Sequence, residues 1–280
     1  MPRAVSDLLN EIKSVEPLPQ VSMRVLELAS HDDVVPRELV QVIQTDAGVT
    51  AKVLKLCNSA YYGFRREIGS LQDAGNMLGV ATLVNLVLTS CAGRYFRNYG
   101  ASNAEASLKL WESSMANAVA TSLLARRRGV DRNRAYTVGL LENIGQLVLQ
   151  RFLREDAELI AAEVGRGTPL TVAESMVFGI DHAEIGARLA DKWSFPEPLI
   201  DSIRHHHSPD ASTVDQRMAA LGHLGEMATQ RLDMAWTPHG RYGMSPRALA
   251  ICGMTEASFA ELDEPLRSEM EKAKGILEMA

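Results

Sequence analysis

The sequence predicts an all-α protein, and three observations predict it. Apolar residues recur at three- and four-residue intervals along most of the chain. No segment sustains strict apolar–polar alternation, and nothing reads as a hairpin. With 280 residues, the chain buries roughly three quarters of its unfolded-state surface, so no staple is needed to hold a core.

The helices can be justified in order. In "VSMRVLELAS", Val21, Val25 and Leu28 fall at i, i+4 and i+7. In "PRELVQVIQTD", Pro36 suits a first helical turn, and Leu39, Val40 and Ile43 form the stripe. Residues 47–58 repeat the pattern with Val49, Val53, Leu56 and Cys57. The uncharged stretch 74–93 reads as a turn at Gly79 followed by a buried helix. Its glycines and Asn76, Thr82, Asn85, Thr89 and Ser90 are out of place in a membrane span. A long helix from about Asn103 to Arg128 carries Leu108, Trp111, Met115, Val119 and Ser122 along one face. Asp181 followed by Glu184 marks a capped helix start, and Pro196 opens the next helix. The irregular stretch "TPHGRYGMSP", residues 237–246, precedes a short helix and a final charged helix from about Thr255.

Gly, Ser and Asn cluster in "RNYGASNAE", residues 97–105, and predict a break between two helical lobes. The expected division is 1–100 and 101–235, with a C-terminal helical extension over 236–280.

Composition narrows the function. The net charge of −6 argues against a general nucleic-acid binder. Cys57, Cys91 and Cys252 are far apart and in no CxxC spacing, which fits reduced thiols in a cytoplasmic protein. The opening "MPRAVSDLLNEIK" mixes charge into its apolar positions, unlike a signal peptide. No P-loop, dinucleotide fingerprint or nucleophile elbow is present.

Four of the seven histidines fall within residues 182–207. On the helix capped by Asp181, His182 shares a face with Gly186, Leu189 and Trp193, pointing it toward the core, while Glu184 and Arg188 pair elsewhere. On the next helix Leu199 and Ile203 define the buried stripe and His206 and His207 continue it. His205, four residues after Asp201, falls on the solvent side. Successive side chains lie about 100° apart on a helix, so the three adjacent histidines cannot all reach one ion. His182, His206 and His207 are either ligands for zinc, iron or manganese or hydrogen-bonded core residues.

Taken together the segments resemble a known family. "EPLPQVSMRVLELASHDDVVPRELVQVIQTDAGVTAKVLKLCNSAYYGFRREIGSLQDAGNMLGV", residues 16–80, is similar to the HDOD domain, and "LWESSMANAVA" and "GLLENIGQLVL" continue the likeness. It covers about residues 16–230. The resemblance implies an all-helical bacterial signalling module, related to HD-type metal-dependent phosphohydrolases but without established catalysis.

It also implies where the rest of a metal site would stand. The place of a first histidine holds Ser113, with Ser114 beside it. The His-Asp pair that names the superfamily is replaced by Glu142 and Asn143, and a following lysine by Gln146. A late aspartate is replaced by Glu226. His182, His206 and His207 match positions that serve as extra ligands in binuclear HD enzymes. Phosphoester hydrolysis needs an ion that polarises the phosphoryl oxygen and supplies hydroxide. Asn143 is neutral and Ser113 a weak ligand, so the expected site is degraded and the protein is not an enzyme. The helix carrying Glu142, Asn143, Gln146 and Gln150 allows a plainer reading, a polar stripe facing water or a polar cavity.

Two further stretches carry candidate chemistry. "NSAYYGFRRE", residues 58–67, places Tyr61 and Tyr62 before Arg65 and Arg66. They form either a partner- or nucleotide-binding surface or a capping loop whose aromatics pack the lobes together. "ARRRGVDRNR", residues 125–134, holds five arginines near a helix end at Gly129, usually a solvated arrangement but open to an acidic partner or phosphate.

The expectation is therefore a cytoplasmic signalling scaffold or regulatory binding module with no cofactor. Its partners would be signalling proteins, possible members of cyclic-dinucleotide pathways, and neither nucleic acid nor a membrane. The rival is a metal-dependent phosphohydrolase holding one residual divalent ion on His182, His206, His207 and Glu142.

Overall fold

The structure is a computed structural model that describes residues 5–29, 34–99, 104–237, 240 and 242–279. All regular structure among them is helical, as the periodicity predicts. The first half holds α1 (Val5–Ser14), α2 (Gln20–Ala29), α3 (Pro36–Ile43), α4 (Ala47–Cys57), α5 (Leu71–Leu78) and α6 (Val80–Tyr99). The second holds α7 (Ala104–Arg128), α8 (Arg132–Leu141), α9 (Gly145–Gly165), α10 (Leu170–Phe178), α11 (His182–Lys192), α12 (Glu197–His205) and α13 (Gln216–Arg231). A 3₁₀ turn at Pro209–Ala211 lies between α12 and α13. The chain closes with α14 (Pro246–Ile251), α15 (Glu256–Ala260) and α16 (Asp263–Met279).

Local chemistry sets these boundaries. Asp46 accepts the Val49 N–H at 3.0 Å to start α4, and Ser70 accepts the Asp73 N–H at 3.0 Å to start α5. Each such cap contributes about 1 kcal/mol. Gly79, at φ 80°, ends α5 in the left-handed region that favours glycine, and α6 begins at the next residue. Lys192, at the end of α11, donates to the carbonyls of Ile12 and Val15 at 3.1 and 2.6 Å. It thereby joins a cation to the negative end of α1.

α7 is the central helix. Between Leu110 and Ala125 it is buried on nearly every side, because α8 and α13 pack along it and α6 and α16 cover the rest. α16 also touches α4, so the C-terminal helix returns to both halves of the chain. Buried apolar residues from Leu8 to Ile276 form one continuous cluster that crosses the expected break. Residues 100–103 of that break, and Pro238, His239 and Arg241 of the second irregular stretch, lie outside the described residues, as do residues 1–4.

Several sequence expectations are corrected here. Leu108 does not share the buried face of α7; it is 50% exposed, while Ser107, Leu110 and Trp111 around it are buried, so it lies on the side of the helix that turns away from the core. The final segment is two helices: Thr255 caps α15, and the chain turns at Glu261–Leu262 before α16. Asp201 is buried rather than solvent-facing, since its carboxylate accepts the Ser212 hydroxyl at 2.5 Å and the Asp215 N–H at 3.3 Å. His205, half-buried, lies 3.8 Å from that carboxylate. Cys57, Cys91 and Cys252 are free and buried, and burial pushes each thiol up to about 11. Among the described residues, no helix is long and apolar enough to cross a membrane.

Candidate metal centre

Three helix ends bring the histidines together. Asp181 accepts the Glu184 N–H at 2.8 Å and starts α11, which puts His182 in its first turn. α11 lies against the start of α9 at very short range. A Cβ on Gly145 would stand 2.0 Å from the His182 carbonyl oxygen and 2.7 Å from the Gly186 nitrogen, so only glycine permits this crossing. α12 ends at His205, and the next two residues leave the helix, His206 still in helical geometry and His207 in the turn. Leaving the helix is what frees two adjacent imidazoles to face one point. His205 stays apart on Asp201, so the limit on three adjacent histidines holds.

One ring nitrogen from each of His182, His206 and His207 lies within 4.8 Å of the others. The far nitrogens of two of them are tied. His182 Nδ1 lies 2.6 Å from the Glu174 carboxylate, and His206 Nδ1 donates to the Ile203 carbonyl at 2.7 Å. A carboxylate or carbonyl on the far nitrogen is the arrangement that orients metal-binding histidines. It leaves Nε2 of both rings aimed inward, and His206 Nε2 is buried without a hydrogen-bond partner. His182 Nε2 and His207 Nε2 are 2.9 Å apart. Two lone pairs repel at that distance, so a proton or a cation must lie between them.

The electrostatics favour neutral bases at two positions. Burial, with the neighbouring histidines, pushes His206 and His207 well below the usual imidazole range. Burial also pushes His182 down, but the Glu174 charge and hydrogen bond outweigh it and leave the ring raised. The donor set, three imidazoles of which two are held in the neutral form and one has an orphaned nitrogen, fits a divalent transition ion such as zinc, manganese or iron. Bound there, an ion would supply Lewis acidity, with His182, His206 and His207 as its holders.

The positions that the family resemblance marks as replaced are nearby but closed. The expected single helix through Glu142–Gln150 is broken at residues 142–144, between α8 and α9. The polar residues there do not face water. Glu142, Asn143 and Gln146 are all buried. Asn143 Nδ2 donates to Glu226 Oε1 at 2.9 Å, and Gln146 Nε2 donates to Asn143 Oδ1 at 3.1 Å and to the Tyr242 hydroxyl at 3.0 Å. Burial and the Glu226 charge push the Glu142 carboxyl well above its ordinary range. Burial likewise pushes Glu226 up to about 7, against the Asn143 hydrogen bond. Neither carboxyl joins the convergent set, which among the described residues is the three histidines. Glu226 Oε2 is 3.7 Å from His207 Nδ1. Ser113 is engaged elsewhere, accepting the Trp236 N–H at 3.0 Å.

Sequence reasoning did not find Glu174, Tyr242 or His223. Tyr242 stacks on His207 with ring centroids 4.1 Å apart, delivered by the irregular stretch after α13. His223 holds that stretch: its Nδ1 donates to the His206 carbonyl and its Nε2 accepts the Ser245 N–H, both at 3.0 Å. Glu174 lies eight residues before His182 and across a helix break, so no periodicity connects them. The lone charged residue in the mostly apolar "LTVAESMVF" is the available signal.

The second candidate surface is divided. Tyr61 and Tyr62 line a crevice of about 300 Å³ together with Arg126 and Arg132. Arg65 and Arg66 stand exposed on the loop that follows, outside the crevice lining.

Comparison with known proteins agrees with this architecture. A protein of Treponema pallidum (strain Nichols), itself uncharacterized, is 29% identical over 242 residues, 84% of this chain and 46% of its own length. The chain thus spans about half the length of the curated relative it matches. A provisionally named phosphohydrolase from Shewanella amazonensis SB2B superposes with a TM-score of 0.73 at 23% identity, covering 97% of each chain. An HDOD domain protein of unknown function from Geobacter sulfurreducens gives 0.74 at 22%, again covering 97% of each. A provisionally named signal transduction protein from Marinobacter aquaeolei VT8 gives 0.77 at 22%, over 98% of this chain and 65% of that one. At these identities the likeness is one of fold. The HDOD domain itself matches residues 15–209, which include α2 through α12 and all three convergent histidines. With most of its length so matched, this chain belongs to the HDOD domain family.

Proposed function

We propose that this protein is a non-catalytic bacterial signalling module, a scaffold or regulatory partner-binding protein that keeps a histidine pocket for a divalent ion without turning over phosphoesters. The observation that carries this is the closed network Glu226–Asn143–Gln146–Tyr242 beside the histidines. A hydrolytic metal needs an open position for water and substrate. Here Tyr242 stacks over His207, and Asn143 accepts the Gln146 amide and donates its own to Glu226, so this pair offers neither a carboxylate nor a cation. Glu142, whose ionised form is disfavoured by burial and by the Glu226 charge, is a poor substitute for an exposed carboxylate ligand. The family's link to signalling supports partner proteins as the target, with cyclic-dinucleotide pathway members the class to try first.

The test is a phosphodiesterase and phosphatase assay on protein loaded with manganese, iron or zinc, alongside the metal content of untreated protein. The expected result is bound metal without turnover of cyclic dinucleotides or nucleoside phosphates, the metal being lost in His206→Ala/His207→Ala. Turnover abolished by the same double substitution would overturn the reading in favour of a metal-dependent phosphohydrolase.

A further inference from the structure

We propose that the crevice lined by Tyr61, Tyr62, Arg126 and Arg132 is a binding site for a nucleoside phosphate of mononucleotide size. The inference is independent of the histidine pocket and of what that pocket holds. The loop after α4 supplies Tyr61 and Tyr62, α7 supplies Arg126, the first turn of α8 supplies Arg132, and α16 supplies Glu269 and Lys272. A narrower recess of about 30 Å³, backed by Val119 and Leu123, shares Tyr61 and both arginines.

The charges in this crevice are not balanced internally. Lys272 is paired with Glu269 at 3.1 Å. Among the described residues neither Arg126 nor Arg132 has an acidic partner, and no other acid lines the crevice. Two unpaired guanidiniums meeting in a concave site of a chain with net charge −6 form a local anion site. Each presents a planar fork of donors that suits phosphate oxygens, and two together match a phosphate dianion.

The tyrosines add an aromatic requirement. Their rings sit 5.1 Å apart at 84°, one edge-on to the other, and both are only partly buried. Tyrosines that merely pack two layers together usually find a partner for the hydroxyl. Tyr136, which lines the same crevice, does so, with its hydroxyl 2.9 Å from Thr89. Among the described residues the Tyr61 and Tyr62 hydroxyls make no hydrogen bond. A ring face for a base and free hydroxyls for ribose or phosphate therefore lie beside the arginines, the combination used to hold nucleotide bases by stacking. A volume of about 300 Å³ is at the lower end for small-ligand sites, which fits one nucleotide better than two joined. Because the walls come from α4's loop, α7, α8 and α16, a ligand would bridge elements from both halves of the chain.

Calorimetric titration of the full chain with AMP, GMP, cyclic AMP and cyclic GMP tests the proposal, with cyclic di-GMP and inorganic phosphate as comparators. The expected result is saturable binding of a mononucleotide, with inorganic phosphate weaker by about tenfold or more. Arg126→Ala/Arg132→Ala should weaken binding by at least about tenfold. Both arginines are exposed, so the melting temperature of the ligand-free protein should not move; Arg132→Gln alone serves if the double variant does not fold. His206→Ala/His207→Ala should leave nucleotide binding unchanged. Three results would overturn the proposal: no saturable binding of any mononucleotide at millimolar concentration, binding indifferent to the arginine substitutions, or inorganic phosphate binding as tightly as the nucleotides.

Discussion

One oxygen of the Glu174 carboxylate lies 2.6 Å from Nδ1 of His182 and also accepts the His182 backbone N–H at 3.0 Å. A single acid on α10 thus fixes both the first turn of α11 and the orientation of the ring it carries. With Nδ1 so held, Nε2 can only point at His207 and His206.

Replacing that acid tests its role directly. Glu174→Gln keeps the shape and removes the charge, and metal affinity should fall by about 10- to 100-fold, as for other partners of metal-bound histidines. Competition titration of zinc against a chelator reads the change. For the parent protein, a zinc concentration of about 100 times Kd should add about 2.7 kcal/mol of stability, visible as a higher Tm. Equal affinity in the two proteins would mean that His182 does not hold the ion.

His223 gives the protein an acid-labile joint. Burial lowers its pKa from 6.5 to about 4, and its Nε2 must stay unprotonated to accept the Ser245 N–H. A group depressed in the folded state stabilises fully above its unfolded pKa and loses that contribution as pH falls through the folded one. The window is therefore pH 6.5 down to about 4. Metal-stripped parent protein should lose about 3 kcal/mol across it relative to His223→Gln, measured by urea unfolding. The comparison with the variant matters because Glu226 works the other way. Raised to about 7, its carboxyl stabilises below its ordinary 4.5 and loses that contribution as pH climbs to 7. Parallel pH curves for parent and variant would remove His223 from the account.

Gly145 makes the close crossing of α9 and α11 possible. Gly145→Ala would set a methyl 2.0 Å from the His182 carbonyl oxygen, a backbone atom that cannot swing aside. The expected cost is about 1–3 kcal/mol or more, read by denaturant unfolding, with metal affinity falling as His182 shifts. Unchanged stability would show that the crossing is looser than the structure has it.

Much of the architecture could be read from the chain alone because it rests on local rules. Asp181 marks a helix start by capping chemistry, Pro36 and Pro196 do so by their fixed φ, and the turn at Gly79 follows from glycine's access to positive φ. The buried stripes at Leu39–Ile43 and Val49–Cys57 follow from the helical period. The inward face of His182 was legible for the same reason.

The remainder depends on contacts between distant segments. Helical spacing predicts directions within one helix, but His206 and His207 reach a common point only because α12 stops at His205. From the sequence, Glu142, Asn143 and Gln146 are a polar stripe that either water or a polar cavity could receive, with no means of choosing between them. They are buried because α13 brings Glu226 and the following stretch brings Tyr242 onto them. Sequence proximity groups the tyrosines after α4 with Arg65 and Arg66, yet their crevice is shared with Arg126 and Arg132, more than sixty residues further on. By itself, then, the sequence determined the all-helical class, several helix starts, most of the core faces and, through its string of local motifs, the family, since each of these is written in residues a few positions apart. Only the tertiary structure decided which polar groups share a pocket, because buried charges and lone pairs are partnered across space, and chain distance does not enter Coulomb's law.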